Sequence, residues 1–250
     1  MTSLVGSRWS KSLMYFFSFA TVGFGFFIPA FAAAIASVIV LVLSSFLANG
    51  RSWSSVMGIG DAKRNAFWFA LAFLVSAFLA SGVFIGLLRS SADLSIKIGP
   101  SLFLVFATVF LQSLVEEVLF RVYLMNHLLT RFVSSRILLC VSSALLFSVA
   151  HFLNYRLSEG VSLSFTPLLS LFFFGYSGSA FYLHQGHILG AWGFHAGWNV
   201  IRYAVELKIN DSRIAESMTF ELLEGSWAGL GVGVGLAMLA FNHQLRRKQT

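Results

Sequence analysis

The chain has 250 residues, of which 57% are hydrophobic and 11% are charged, and its mean hydropathy is +0.80. A soluble globular domain carries about 25% charged residues, so this composition excludes an ordinary water-facing surface. The net charge of +7 does not indicate nucleic-acid binding, because the basic residues are scattered between apolar blocks and form no basic groove with interleaved aromatic residues. Composition therefore predicts an integral membrane protein in contact with membrane lipids.

Eight apolar blocks follow one another along the chain, each close to the length of about 20 residues that a membrane-spanning helix needs. They lie at about 13–28, 30–48, 65–88, 101–125, 137–153, 166–183, 188–205 and 226–242. No internal repeat is visible. We predict an all-α fold: a single integral membrane domain over residues 1–250, built as a polytopic bundle of about eight transmembrane helices.

The first two blocks can be read as one helix over residues 13–48 or as a hairpin broken around Gly23, Gly25 and Pro29. A single helix would be about 54 Å long, whereas the hydrocarbon core is about 30 Å thick. The hairpin places ten basic loop residues on the side of the termini and five on the other side. A single helix makes the division eight to seven. The positive-inside rule therefore favours eight spans with both termini cytoplasmic. We expect the protein to lie in the cell (inner) membrane.

The fourth block contains the run Glu116-Glu117-Val118-Leu119-Phe120-Arg121. Each ionisable residue inside the bilayer costs about 2.5–3.5 kcal/mol on insertion scales, so each needs a reason to be there. Adjacent residues lie about 100° apart around a helix, so Glu116 and Glu117 are not expected to face the same point. Glu117 and Arg121 are four residues apart and should pair. Glu116 is then the carboxylate left to face a cavity; the alternative is a structural ion network that locks the helices together.

Two later blocks carry further polar side chains. His151 lies in the fifth block, and His195 and Asn199 lie one turn apart on one face of the seventh. Asparagine in hydrocarbon needs hydrogen-bond partners, so this face is expected to point into the bundle. His184 and His187 flank a short connection, where a solvated or interfacial histidine is expected.

Carboxylate and imidazole groups together are typical of a hydrolytic site. They can activate water by general base catalysis or hold a zinc ion that lowers the pKa of bound water. His195 and Asn199 can donate hydrogen bonds to an oxyanion. A proton-coupled transporter uses the same residue types. Counted from the cytoplasmic ends of the predicted spans at 1.5 Å per residue, Glu116 and His195 lie about 12–14 Å deep, but His151 lies about 21–23 Å deep.

Three motifs occur in order on separate spans: Glu-Glu-x-x-x-Arg at 116–121, Phe-x-x-x-His at 147–151 and His-x-x-x-Asn at 195–199. Together they resemble the CPBP family, which comprises CAAX-prenyl proteases and bacteriocin-processing or immunity proteins and is also called the Abi family. The resemblance covers about residues 100–205, which would form the catalytic core.

The resemblance implies a helical membrane fold of about eight spans and an intramembrane endopeptidase that cleaves a peptide or membrane-protein substrate at or near the membrane. It also implies the roles of the motif residues. Glu116 would activate the attacking water, His151 would assist as base or acid, and His195 with Asn199 would form the oxyanion site.

By the same resemblance, Glu117 and Arg121 would support the geometry. The chain lacks His-Glu-x-x-His, the usual helical zinc signature. We therefore favour a metal-free mechanism with no cofactor; a zinc-dependent version would use Glu116, His151 and His195 as ligands.

Two other classes of function stay open. A transporter predicts repeat-related broken helices at the midplane of the membrane, and none is visible in the sequence. A non-catalytic immunity or scaffold membrane protein could retain the motifs for packing alone. The sequence does not indicate the substrate, its prenylation or the oligomeric state.

Overall fold

The computed structural model describes residues 60–88, 94–96, 100–158, 165–207 and 227–246. In these ranges the chain forms six α-helices, one π-helix, a short 3-10 helix and two three-residue strands. In chain order they are α1 (Ala62–Leu88), β1 (Leu94–Ile96), α2 (Pro100–Glu117), the π-helix (Val118–Leu128), the 3-10 helix (Leu129–Arg131), α3 (Arg136–Ser158), α4 (Phe165–Gln185), α5 (Leu189–Ala204), β2 (Val205–Leu207) and α6 (Trp227–Arg246). The predicted helical fold is confirmed for this part of the chain.

Five of the predicted apolar blocks are single α-helices in the structure. Blocks 65–88, 137–153, 166–183, 188–205 and 226–242 correspond to α1, α3, α4, α5 and α6. Blocks 13–28 and 30–48 lie outside the described residues, so the choice between one helix and a hairpin stays a prediction.

The fourth predicted span differs from a simple α-helix. Its α-helical part ends at Glu117, and the chain continues as a π-helix of 11 residues, Val118–Leu128. Residues 118–125 are all buried, and the largest hydrophobic cluster of the described part is built around them. Long π-helices are rare, and π-bulges occur frequently at functional sites. Here the change of helix type comes directly after the two adjacent carboxylates.

Helices α1 and α5 pack closely and run parallel. A Cβ atom at Gly193 would overlap the carbonyl oxygen of Phe69, and one at Gly197 would overlap the carbonyl oxygen of Phe73. The contact advances by four residues along both helices, so the two chains run in the same direction. The absence of side chains at the two glycines allows this approach, as small residues do between membrane helices.

Hydrogen bonds add to this packing. The Ser76 hydroxyl of α1 donates to the carbonyl oxygen of Phe194 in α5. The indole Nε1 of Trp192, also in α5, donates over 3.0 Å to the carbonyl oxygen of Phe110 in α2. Strand β1, which follows α1, pairs antiparallel with β2, which follows α5. Helix α5 is thereby held between α1 and α2, and its inward face is placed against the end of α2.

Two helices of the described part are long and apolar enough to cross a membrane, over Ala62–Gly86 and Arg136–Leu153. The first exposes large apolar side chains, including Leu74 and Phe78, which is 77% exposed. Contiguous apolar surface of this kind is suited to lipid. Together with the composition, these helices identify an integral membrane protein; the total of eight spans stays a prediction.

The close contact of α1 with α5 generates a test of packing. Gly197→Ala should lower the melting temperature in detergent, because its new methyl group meets a backbone carbonyl that cannot rotate away; overpacking costs about 1–3 kcal/mol. Gly82→Ala in exposed α1 is the matched control. A Cβ there meets nothing within 4 Å, and replacing glycine in a helix gains up to about 1 kcal/mol. Equal melting of the two variants would contradict the described packing.

Candidate active site

Six polar side chains predicted from the sequence come from four helical segments. Glu116 and Glu117 are the last two residues of α2, Arg121 lies in the π-helix, His151 lies in α3, and His195 and Asn199 lie in α5. The first three are each no more than 2% exposed. Five of the six are linked by direct contacts, described below, and Asn199 lies one turn away.

The Glu116 carboxylate is the meeting point of α3 and α5. Its Oε2 lies 3.1 Å from Nε2 of His151 and 3.4 Å from Nε2 of His195. Its Oε1 accepts a hydrogen bond of 3.2 Å from the side-chain amide of Gln112, one turn earlier in α2. One carboxylate oxygen therefore faces two imidazole rings, and the other faces an amide donor.

The ring of His151 is oriented by its own helix. Its Nδ1 lies 2.9 Å from the carbonyl oxygen of Phe147, and the two rings are stacked at a tilt with centroids 4.2 Å apart. A carbonyl oxygen only accepts hydrogen bonds, so Nδ1 is the nitrogen that carries the hydrogen. Nε2 is then left to face Glu116, and a favourable contact between it and a carboxylate requires a proton between them.

Both carboxylates reach the ring of His195, which corrects the expectation that Glu116 and Glu117 face different points. Nδ1 of His195 donates over 2.9 Å to Oε1 of Glu117, while Nε2 lies near Glu116. The expectation was wrong because an imidazole has a nitrogen on each of two edges. Two carboxylates that diverge around one helix can therefore hold the same ring from two sides.

Arg121 compensates the charge of Glu117, as the spacing predicted. Its Nε donates over 3.0 Å to Oε2 of Glu117. Its Nη1 donates to the hydroxyls of Ser143 in α3 and Ser179 in α4, over 3.1 and 3.0 Å. The guanidinium carbon also lies 5.3 Å from the centroid of the Phe147 ring. One buried cation thereby joins α2, the π-helix, α3 and α4.

Sequence reasoning missed three residues of this arrangement: Gln112, Ser143 and Ser179. Gln112 precedes Glu116 by four residues, so the helical spacing used for Glu117 and Arg121 could have found it. The two serines give no comparable signal. Serine is common in membrane helices and can satisfy its hydroxyl on its own backbone, and only the structure shows which serines face Arg121.

Asn199 lies in α5 one turn beyond His195 and is 9% exposed. Within the described ranges, no hydrogen bond joins it to Glu116, His151 or His195. Its side chain is therefore near the site by its position on α5, without belonging to the network of contacts. Its predicted role toward substrate stays a prediction.

Metal binding was the other predicted use of these side chains. Among the residues that the structure describes, no group of three or more His, Cys, Asp or Glu is placed to hold a metal ion. The metal-free mechanism stays a prediction.

His187 departs from its expected solvated position. It lies in the connection between α4 and α5 and is only 2% exposed, and its Nδ1 has no hydrogen-bond partner in the described part of the chain. Burial lowers the pKa of His187, and the nearby charge of Arg64 lowers it further. This histidine is therefore buried and not solvated, and in the described part of the chain no hydrogen bond joins it to Glu116 or Glu117.

Comparison with protein families gives one match. Residues 98–201 match the family described as "Type II CAAX prenyl endopeptidase Rce1-like". The matched stretch includes every contact of the carboxylates described above. Comparison with curated proteins and with solved structures gave no match.

The buried ion pair generates a prediction about stability. Arg121→Ala leaves Glu117 as an uncompensated buried charge, which typically costs about 3–5 kcal/mol. We expect a lower melting temperature in detergent and poor expression. Adding Glu117→Gln to the same chain should recover part of the loss, because no unpaired charge then remains.

Arg136→Ala is the matched control, since Arg136 is exposed at the start of α3. Its melting temperature should stay close to that of the wild type. An Arg121→Ala protein as stable as Arg136→Ala would contradict the proposed pairing.

Proposed function

We propose that this chain is a CPBP-type endopeptidase, like the CAAX prenyl endopeptidase family that residues 98–201 match, and that it hydrolyses a peptide bond at or near the membrane with Glu116 as the group that activates water. The observation that carries the proposal is the convergence of Glu116, His151 and His195 from three helices. These side chains lie within the matched stretch, and their polar atoms are 3.1–3.4 Å apart.

The charges of the site support this chemistry. With neutral histidines, two carboxylates and one guanidinium leave one negative charge in a nearly solvent-free interior. Such a charge is costly. Nδ1 of each imidazole already donates its hydrogen, to Phe147 or to Glu117. One further proton, carried by Nε2 of either imidazole, neutralises the cluster and makes one of the two contacts with Oε2 of Glu116 attractive at a time.

We assign that shared proton to an imidazole in the state that reacts, which leaves Glu116 ionised as the base. Glu116 takes a proton from water as the water oxygen attacks the scissile carbonyl carbon. The tetrahedral intermediate then collapses as the C–N bond breaks, and the proton that Glu116 took from water passes to the leaving nitrogen, directly or through Nε2 of His151. The products are a carboxyl group and an amine, so atoms and protons balance. General acid–base catalysis of this kind contributes about 10²–10⁴-fold in rate.

His195 is suited to stabilise the oxyanion of the intermediate. Glu117 accepts from its Nδ1, which holds the ring and favours a proton on Nε2. A protonated Nε2 can turn its hydrogen bond from Glu116 to the developing oxyanion. Asn199, one turn further along α5, is the second proposed donor.

The substrate is proposed to be a peptide or membrane protein cleaved by this metal-free route. The family description contains the words "CAAX prenyl endopeptidase", so a prenylated CAAX peptide is the first candidate substrate, with an unmodified membrane-anchored peptide of the same sequence as its comparison.

We also propose eight membrane spans with both termini cytoplasmic. That arrangement requires the third and seventh spans to enter from the same side, and parallel α1 and α5 are consistent with it. The ten-to-five partition of basic residues supports the cytoplasmic assignment. The ten residues are Arg8, Lys11, Arg51, Lys63, Arg64, Arg131, Arg136, Arg246, Arg247 and Lys248; the five are Arg89, Lys97, Arg156, Lys208 and Arg213.

The decisive experiment is peptide cleavage by purified protein and by Glu116→Gln. The amide keeps the shape of the side chain and its contact with Gln112, but it cannot accept a proton. Turnover should fall by at least about 10²-fold, the lower range for loss of a general base, while the melting temperature stays near that of the wild type.

A chelator arm tests the metal-free route, since full activity is expected after exhaustive chelation. Loss on chelation with recovery on adding Zn²⁺ would replace this route with a zinc-dependent one. Near-normal turnover of Glu116→Gln would reject the assignment. Absence of cleavage by the wild type on either peptide would favour a non-catalytic or transport function.

Asn199→Ala tests the oxyanion site separately. The variant should fold normally, because Asn199 makes no hydrogen bond to the other site residues. Its kcat should fall by about 10²–10³-fold, the usual scale for one oxyanion donor, with little change in KM. A rise in KM with kcat unchanged would instead assign Asn199 to substrate binding.

A further inference from the structure

The two oxygens of the Glu116 carboxylate are engaged differently. Oε2 lies near both Nε2 atoms, of His151 and His195, whereas Oε1 accepts from the Gln112 amide over 3.2 Å. Gln112 is partly buried in α2, and no motif of the chain includes it. The established family match says nothing about this residue.

The terminal torsion of a glutamate is broad, so the carboxylate plane has no strong preference of its own. A hydrogen-bond donor on one side of the carboxylate restricts the orientation of this plane. The amide of Gln112 suits this task because it does not titrate and cannot exchange the proton that the two imidazoles share with Glu116. It occupies Oε1 and leaves Oε2 as the oxygen that faces the imidazoles.

Resting on the function proposed above, we propose that Gln112 is a positioning residue for catalysis: its side-chain amide holds the Glu116 carboxylate so that one oxygen serves both His151 and His195. The role of Gln112 is to fix the direction in which the carboxylate faces. Without the donor, the carboxylate rotates away from one or both rings, and the base loses its alignment with the water and with the acid that protonates the leaving group.

A purely structural role for Gln112 would instead appear as a loss of stability when the residue is replaced. Its hydrogen bond to Glu116 lies within one helix, between residues i and i+4, and joins no second helix. Pairs of this kind add little to stability. Removing the donor should therefore reduce kcat while leaving the melting temperature and KM nearly unchanged.

The test compares four proteins in the same cleavage assay: wild type, Gln112→Met, Gln112→Asn and Leu111→Met. Methionine matches the length of glutamine and lacks the donor. Asparagine keeps the amide one methylene shorter. Leu111→Met controls for introducing methionine at a neighbouring, partly buried position. Melting in detergent is measured for all four.

We expect kcat of Gln112→Met to fall by about 10- to 100-fold, the scale for a misaligned catalytic group, with KM within about twofold of the wild type. Gln112→Asn should recover part of that loss, and Leu111→Met should match the wild type. Three results would overturn the proposal: normal kcat in Gln112→Met, a loss confined to KM, or a loss that tracks a fall in melting temperature in both Gln112 variants.

These results are distinguishable from failure of the proposed function. If wild type does not cleave, or if Glu116→Gln cleaves normally, the peptidase assignment and the role of Gln112 fall together. If wild type cleaves and Glu116→Gln does not, normal turnover in Gln112→Met removes only the role of Gln112.

Discussion

The pairing of Glu117 with Arg121 is the constraint on which the rest of this site depends. Both side chains are nearly solvent-free, and a charge left alone there would cost several kcal/mol. The pair is therefore closed by a direct contact of 3.0 Å and by two serine hydroxyls from other helices. Because the guanidinium has five donors in a fixed plane, it can bind three neighbours at once and determine how α3 and α4 sit against the end of α2.

The contacts next to this pair orient the two imidazole rings of the site. Glu117 accepts from Nδ1 of His195, which turns Nε2 toward Glu116. On the other side, the Phe147 carbonyl turns Nε2 of His151 toward the same oxygen. Each ring is thus oriented through the nitrogen that does not face Glu116. In the described part of the chain no arginine pairs with Glu116, and the proposed function uses this carboxylate as the base.

Depths counted along the predicted spans do not describe how Glu116, His151 and His195 meet. The sequence-based spans placed His151 about 9 Å deeper than Glu116 and His195. The structure removes this discrepancy, since Glu116 and His151 are in contact. Helical structure continues from α2 through the π-helix to Arg131, six residues beyond the predicted end at residue 125. His195 also contacts Glu116, so this extension by itself does not account for the contacts of all three side chains.

The sequence by itself determined the membrane class, the extents of α1 and α3–α6 and the pairing of Glu117 with Arg121. These follow from composition, from the length of apolar blocks and from spacing along one helix, all of which are local properties. The tertiary structure decided that both carboxylates hold His195, that Ser143 and Ser179 bind Arg121, that α2 continues as a π-helix, and that α1 packs in parallel on α5 at Gly193 and Gly197. Apart from the π-helix, these features depend on which faces of separate helices meet, and contacts between residues far apart in the chain produce no periodic pattern in either segment.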